Sequence, residues 1–492
     1  PGAPRTMQID LQQPLAVDSI TRRGARLEYD RDGNVVWVPV PGTRVGGVDT
    51  VVVWYGGKPR VAVNPPWDGG FAWATDDRGR PHIATANQGL GASVWWPTKD
   101  TQTEEPDSQR IAITVPGPLV DVSNGRLRSV RNHDDGTTTW EWFVTQPINN
   151  YNVAVNAGHY AHFGDVMEGE AGLLTLDYWP LEQNLGKARA QFGQTPSVIR
   201  CFEHWFGPYP FYEDGFKMVE TPHLGMEHQS GIAYGNRYQS GYRGRDLSGT
   251  GLGLEWDFII VHEAAHEWWG NSVTTADIAD MWVHEGFGNY AESLYVECLH
   301  DEATGARYAR GVRRGIRNDR PIIPPYGVNA EGSGDMYYKG SNMLHTIRQI
   351  VEDDDLWRSI LRGLQSTFRH SIVTGDEVRA YISERAGLDL DPVFRQYLET
   401  TDVPVLEVRV EGGPGSGRLA YRWTNAVDGF DMPVDARLGP GGCTRLHPTG
   451  EWQTVEHDLE RASAFDVDRD YYVRVLRPGH EAPVMAGATC GG

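Results

Sequence analysis

His262, Glu263 and His266 form His-Glu-Ala-Ala-His, and Glu285 follows within Val283-His284-Glu285-Gly286-Phe287. Histidines four apart share one helix face, because a turn takes about 3.6 residues. Two imidazoles on one face can grip a divalent metal, and zinc is the usual guest. Glu263 follows the first histidine and projects toward the same mouth, where it could take a proton from water held by the metal. A third ligand must come from elsewhere. Glu285 is the candidate, since eighteen residues separate it from His266, enough for one helix to end and a second to return. The five-residue pattern also arises by chance as a helical pair of satisfied histidines, so the context decides.

That context favours metal. Residues 257–269 read as a helix, with Phe258, Ile259, Val261 and Ala265 as an apolar face and Gly270-Asn271 as a stop signal. Residues 281–299 read as a second helix, with Asp280 as its N-cap. Glu292 lies seven residues after Glu285, two turns along the same face. It could brace a metal-bound histidine from behind, or stand as an exposed helical glutamate.

At 492 residues the chain predicts two to four domains. With 39% hydrophobic residues, core formation is not in question. A formal charge of -21 argues against nucleic acid or anionic membrane as partners, both of which need basic patches. No run of eighteen apolar residues predicts a membrane span. Pro1-Gly2-Ala3-Pro4-Arg5 is not a signal peptide and has no initiator Met, so loss of an upstream segment is expected. An extracytoplasmic location, periplasmic or secreted, is favoured over a cytoplasmic one. Cys201, Cys298, Cys443 and Cys490 lack the close pairing of a cysteine zinc site. Cys443 and Cys490 could form a disulfide, or all four could be buried thiols.

Residues 1–160 read as an antiparallel β domain. Residues 27–29 and 35–40 flank the turn 30–34, and residues 51–55 and 60–63 flank Gly56-Gly57. Residues 111–115 and 138–144 alternate, and 7–11 reads as a strand. From 161 to 402 the period becomes helical. Thr195-Pro196 opens a helix that Gly207 stops. Short strands are predicted at 216–220 and 231–234, and a loop at 317–335. Further helices are predicted at 341–350, 355–369, 374–385 (with a Thr374/Glu377 capping box) and 392–398. From 403 to 492 alternation returns, giving a small β-sandwich with turns at 412–417 and 439–442. The fold class is therefore multidomain α+β.

These motifs together resemble the M1 family of zinc aminopeptidases, the gluzincins. The resemblance rests on His262-Glu263-Ala264-Ala265-His266, Trp268-x-Gly270-Asn271-x-Val273-Thr274 and Glu285-Gly286-Phe287. It extends to Phe206-Gly207-Pro208-Tyr209-Pro210-Phe211, to Gly225-Met226-Glu227-His228-Gln229 in place of Gly-x-Met-Glu-Asn, and to Tyr337-Tyr338-Lys339-Gly340. Together they cover about residues 85–400. His228 departs from the family's Asn, the first strands of the family's first domain are not evident, and the large C-terminal helical domain of longer members is missing.

The resemblance implies a thermolysin-like, mainly helical catalytic domain with a small edge sheet, and one Zn2+ per chain on His262, His266 and Glu285. It assigns Glu263 as base and Tyr337 as oxyanion donor. It implies that Glu227 anchors the substrate's α-amine while the backbone of Gly225 and Met226 pairs with the peptide. Counting back from Pro97-Thr98-Lys99-Asp100 points to Gln88 as a second amine ligand, or to an ordinary loop glutamine. The substrates implied are peptides with a free N-terminus. The rival readings are a thermolysin-like endopeptidase, a peptide-binding protein with a decayed site, and hydrolysis of a lipid epoxide.

Overall fold

The structure, a computed structural model, describes residues 5–413, 417–439, 442–460 and 464–490. Pro1–Pro4 and parts of the expected turns at 412–417 and 439–442 lie outside the described residues. The chain forms two compact units, one of residues 1–196 with 209–238, the other of residues 197–208 with 239–492. Among the described residues no helix is long and apolar enough to cross a membrane.

The first unit is built from β-sheets. Gln109–Pro116 pairs antiparallel with Thr137–Val144, which pairs in turn with Arg126–Asn132. The alternation that marks these strands places Ile111 opposite Trp142 and Ile113 opposite Trp140. Ile111, Val122, Trp142, Val144, Trp179 and Val219 share one core. A five-stranded sheet follows in the order Phe163–Gly169, Gly172–Trp179, Phe216–Glu220, Ile232–Tyr234, Gly225–Met226. Val219 and Trp179 carry this sheet into the same core, so it packs with the β domain although the helical pattern begins near 161. Buried Lys217 strengthens the join. It donates to the Ser123 carbonyl at 2.6 Å and lies 4.3 Å from the centre of the Trp142 ring. Gly225–Met226 is the sheet's edge strand and pairs antiparallel with Ala233 and Tyr234.

Two expected hairpins differ from those observed. Asp30–Asp32 pairs with Val35–Pro39, a tighter turn, while Ala25–Leu27 pairs with Ala16–Arg22. Val51–Gly56 joins Ala16–Arg22 rather than residues 60–63, where only Val61 bridges to Phe71. In the first the chain turns within a shorter loop than expected, and in the second the partner is remote in sequence. A strand with two edges open to pairing can instead recruit a distant one.

The second unit is mainly helical between Phe258 and Glu399, with one short strand pair, Val273–Thr275 and Ser371–Val373. The metal-motif helix is Phe258–Ala265, capped by Asp257, whose carboxylate accepts from the amides of Ile259 and Ile260. Trp282–Leu299 returns as the second metal helix. Its expected cap, Asp280, serves elsewhere: it accepts from the amide of Gly375 at 2.8 Å and from the Tyr326 hydroxyl at 2.8 Å. Met281 takes the cap position with no side-chain bond. Asp280 instead starts the helix Gly375–Ala386, where the Thr374/Glu377 capping box is present. The helix predicted from Ser341 begins earlier, at Asp335, so Tyr337 lies in its first turn. The disulfide Cys201–Cys298 ties the helix Thr195–Phe206 to the end of the second metal helix.

Beyond 402 the described residues form one sheet of five strands and one of three, with Cys443 bonded to Cys490. Arg313 anchors this β region to the helices. Its guanidinium donates to the carbonyls of Arg469 and Asp470 and to the Asn342 side chain.

Candidate metal centre

His266 closes the first metal helix, and Gly270 then turns the chain away with φ +117. A Cβ at Gly270 would lie 3.2 Å from His284 Nδ1, so the turn needs both the backbone freedom and the space of glycine. Val273–Thr275 runs on to pair with Ser371–Val373, and the second metal helix delivers Glu285 in its first turn. Gly288 has no side chain to obstruct His266; a Cβ there would sit 3.0 Å from His266 Cε1.

The three expected ligands meet. His262 Nε2 and His266 Nε2 are 3.3 Å apart. Glu285 Oε2 lies 3.5 Å from the first and 3.4 Å from the second. In a tetrahedral zinc site with bonds of about 2.1 Å, ligand atoms stand roughly 3.4 Å apart. The three atoms already outline one face of such a tetrahedron.

Tautomers explain why a cation belongs there. His266 Nδ1 lies 2.8 Å from the Trp269 carbonyl, an acceptor only, so Nδ1 carries the proton. His262 Nδ1 likewise meets Glu292 Oε1 at 2.9 Å. Both Nε2 lone pairs therefore point inward, toward a Glu285 oxygen that is buried with no hydrogen-bond donor. A proton could bridge one pair of these atoms, whereas a divalent cation satisfies all three. Where no cation lies between these atoms, a proton takes its place: burial opposes charge on His262, yet hydrogen bonds to Glu285 and Glu292 and the charge of Glu263 raise its pKa well above the ordinary range. Burial also opposes ionisation of Glu285, but His266 and His262 keep it below the usual carboxylate range. The cluster is the one group of metal-competent side chains among the described residues.

Glu292 is fully buried, not an exposed helical residue. Its Oε1 accepts from Asn289 as well as His262, and its Oε2 accepts from the Tyr308 hydroxyl at 2.8 Å. Ser341 in turn donates to Asn289 Oδ1 at 2.7 Å. Burial, then the charge of Glu292, holds the Tyr308 phenol well above its usual pKa, so it remains a donor. Tyr308, Asn289 and Ser341 escaped the sequence, because nothing in their local pattern marks them apart from core-facing helix residues.

Glu263 is buried beside the ligands on the first metal helix. The Tyr337 ring centre is 6.1 Å from that of His262. What brings it there is a close helix crossing. A Cβ at Gly340 would lie 3.1 Å from Gly286 Cα, and one at Gly286 would lie 3.3 Å from the Met336 carbonyl. The glycines of Glu285-Gly286 and Lys339-Gly340 thus let the glutamate helix and the tyrosine helix touch backbone to backbone.

The first unit holds a second cluster. Glu227, buried just after the edge strand, accepts at Oε1 from Gln88 Nε2 at 2.6 Å and from the Tyr151 hydroxyl at 2.9 Å. Gln88 thus meets Glu227 directly, and Tyr151 joins them although nothing in its local sequence marks it. His228 beside it is fully buried, and neither of its ring nitrogens finds a partner among the described residues. Burial, then nearby His223, pushes its pKa down to about 3, so the imidazole is neutral.

Known proteins carry related sequence and form. The family model described as the peptidase family M1 domain matches residues 254–397. A probable aminopeptidase 1 of Sulfurisphaera tokodaii is 22% identical over 306 residues, 59% of this chain and 38% of the relative. An aminopeptidase N of Lactobacillus helveticus is 27% identical over 222 residues, 41% of this chain and 26% of the relative. The chain thus spans well under half the length of these curated relatives. An M1 zinc metallopeptidase of Deinococcus radiodurans shares the fold with a TM-score of 0.68 at 20% identity, covering 82% of this chain and 88% of that one. An aminopeptidase A of Legionella pneumophila, solved with aspartic acid, gives a TM-score of 0.75 at 14% identity over 96% of this chain and 55% of that one. The segment that is similar to the peptidase family M1 domain holds His262, Glu263, His266, Glu285 and Tyr337.

Proposed function

We propose that this chain is a zinc-dependent aminopeptidase that removes residues from the N-termini of peptides. The observation that carries the reading is the inward-facing triangle of His262 Nε2, His266 Nε2 and Glu285 Oε2. These three residues would hold the zinc, and Glu292 and the Trp269 carbonyl fix the rings that face it. A zinc ion held there would supply a Lewis acid for the scissile carbonyl and lower the pKa of a water bound to it. Glu263 takes the proton released on attack and hands it to the departing amine nitrogen. The Tyr337 hydroxyl donates to the oxygen on which negative charge develops.

Measuring from an amino terminus needs a carboxylate for the α-ammonium. Glu227 supplies it, with Gln88 alongside. The backbone of Gly225 and Met226, on the edge strand, is open to pair with an extended peptide. An endopeptidase has no use for a buried carboxylate held by two donors beside a peptide-binding strand, and that favours the exopeptidase reading. The relatives named as aminopeptidases support the same class. The two disulfides suit an oxidising compartment, periplasmic or extracellular.

The test uses one short peptide in two forms, with a free and with an acetylated N-terminus. Cleavage of the free form alone is expected, with Glu227→Ala raising KM at least about tenfold. Internal cleavage of the acetylated peptide, or full aminopeptidase activity in Glu227→Ala, would overturn the exopeptidase reading.

A further inference from the structure

We propose that Tyr151 is a positioning residue for recognition of the substrate's N-terminus, orienting the Glu227–Gln88 pair through a hydrogen bond to Glu227. The inference rests on the aminopeptidase reading and adds to it a residue that neither the metal motif nor the edge strand supplies.

Both donors converge on one carboxylate oxygen, Glu227 Oε1. This has a consequence for Gln88. With its Nε2 bound to Glu227, the end of the amide left over is the carbonyl, an acceptor. The reverse orientation would set two oxygens 2.6 Å apart, where their lone pairs repel. The pair therefore offers a carboxylate and a carbonyl, both acceptors, and an α-ammonium has three donors to give them. Tyr151 holds the Glu227 side chain in the rotamer on which this arrangement depends.

Tyr151 is itself placed rigidly. It lies in the short turn Asn150–Asn152 and is buried. Its backbone amide donates to the Asn149 side chain at 3.2 Å. Asn150 Nδ2 donates to the carbonyls of Lys99 and Thr101, tying the turn to the segment that follows Gln88. Asn124 then joins both halves of the cluster. Its Nδ2 donates to the Asn152 carbonyl at 2.9 Å and to the Gln229 carbonyl at 2.7 Å. Its Oδ1 accepts from the amide of Ala154 at 2.9 Å. One asparagine thus fixes the turn bearing Tyr151 against the turn that follows Glu227. Such a scaffold holds the phenol within hydrogen-bond reach of the carboxylate before any substrate arrives.

The experiment compares Y151F with wild type on zinc-loaded protein. The readouts are KM and kcat for an aminoacyl-anilide, zinc content, and inhibition by an aminoacyl hydroxamate and its des-amino analogue. Y151F is expected to raise KM about tenfold and change kcat less than about threefold, with zinc content unchanged. It should weaken the amine-bearing inhibitor about tenfold and leave the des-amino analogue unaffected. Q88L should show the same selective loss, and serves if Y151F proves unstable. Equal weakening of both inhibitors, or no weakening in Y151F while Glu227→Ala still loses the amine-bearing one, would overturn the role of Tyr151 alone. If Glu227→Ala also discriminates nothing, the aminopeptidase reading falls instead.

Discussion

His228 stands beside Glu227, the proposed amine anchor, where the M1 pattern that this stretch resembles has an asparagine, and a histidine there could have put a competing positive charge next to the carboxylate. Burial prevents it. The ring is enclosed and its pKa is pushed to about 3, so at working pH the residue is a neutral polar group, as asparagine is. His228→Asn should therefore keep KM for an aminoacyl-anilide within about threefold of wild type, and a loss beyond about tenfold would show that the imidazole itself is used. The same burial makes stability depend on pH. His228 titrates near 3 and His223, buried and beside His82, near 4, whereas an unfolded histidine titrates near about 6.5. The depressed folded pKa means the unfolded chain takes up protons first as pH falls. Each residue's contribution is complete above about 6.5 and is lost toward its folded value, with a limiting slope of about 1.4 kcal/mol per pH unit. Melting temperature should fall steadily from pH 7 to pH 4.5, and less steeply in His228→Asn. Equal slopes in the two proteins would count against the buried neutral state.

Much of the candidate site could be read from sequence because its ligands lie on helices, where spacing converts directly into direction. His262 and His266 had to share a face, and Glu285 needed only a return helix. Tyr337 is different. Its place depends on how the helix Asp335–Val351 crosses Trp282–Leu299, and a crossing is a tertiary fact that a single pattern does not encode. Gly286 and Gly340 set that crossing. Gly340→Ala should force the helices apart by a few tenths of an ångström and lower kcat about tenfold, while zinc content stays at one per chain, because the added Cβ meets only Gly286 and no atom of His262, His266 or Glu285. Gly288→Ala should do the opposite, since its Cβ would press on His266. There the expected loss is in zinc affinity, about tenfold or more, read by competition with a chelator. If both variants lose zinc equally, the two glycines do not have separate tasks. Strand partners were the harder case. Periodicity located Val51–Gly56 and Val35–Pro39 but could not choose their remote neighbours, Ala16–Arg22 and Thr6–Asp10, because such pairing is decided by contacts distant in sequence.

Across the whole molecule, the composition and the change of period from two to 3.6 and back were enough to anticipate β, helical and β regions in that order. They could not show that the five-stranded sheet shares its core with the β domain, a fact fixed by Val219 and Trp179 meeting Trp142 and Ile111. Nor did they pair Cys201 with Cys298, which lie 97 residues apart. In the chain-entropy picture a cross-link closing a loop of that length stabilises by about 4.7 kcal/mol through the unfolded chain. Reductant should therefore lower the melting temperature by several degrees, and Cys201→Ala with Cys298→Ala should reproduce much of that loss. A reduced protein that melts unchanged would remove the argument for an oxidising compartment. The central claim is that His262, His266 and Glu285 hold one zinc that Glu263 turns to hydrolysis, and titrating chelator-stripped protein with zinc tests it most directly. Aminoacyl-anilide hydrolysis should rise linearly and level off at one equivalent, while Glu263→Gln binds the same equivalent and remains at least about a hundredfold less active. Activity that survives without zinc, or a Glu263→Gln protein as active as wild type, would contradict it.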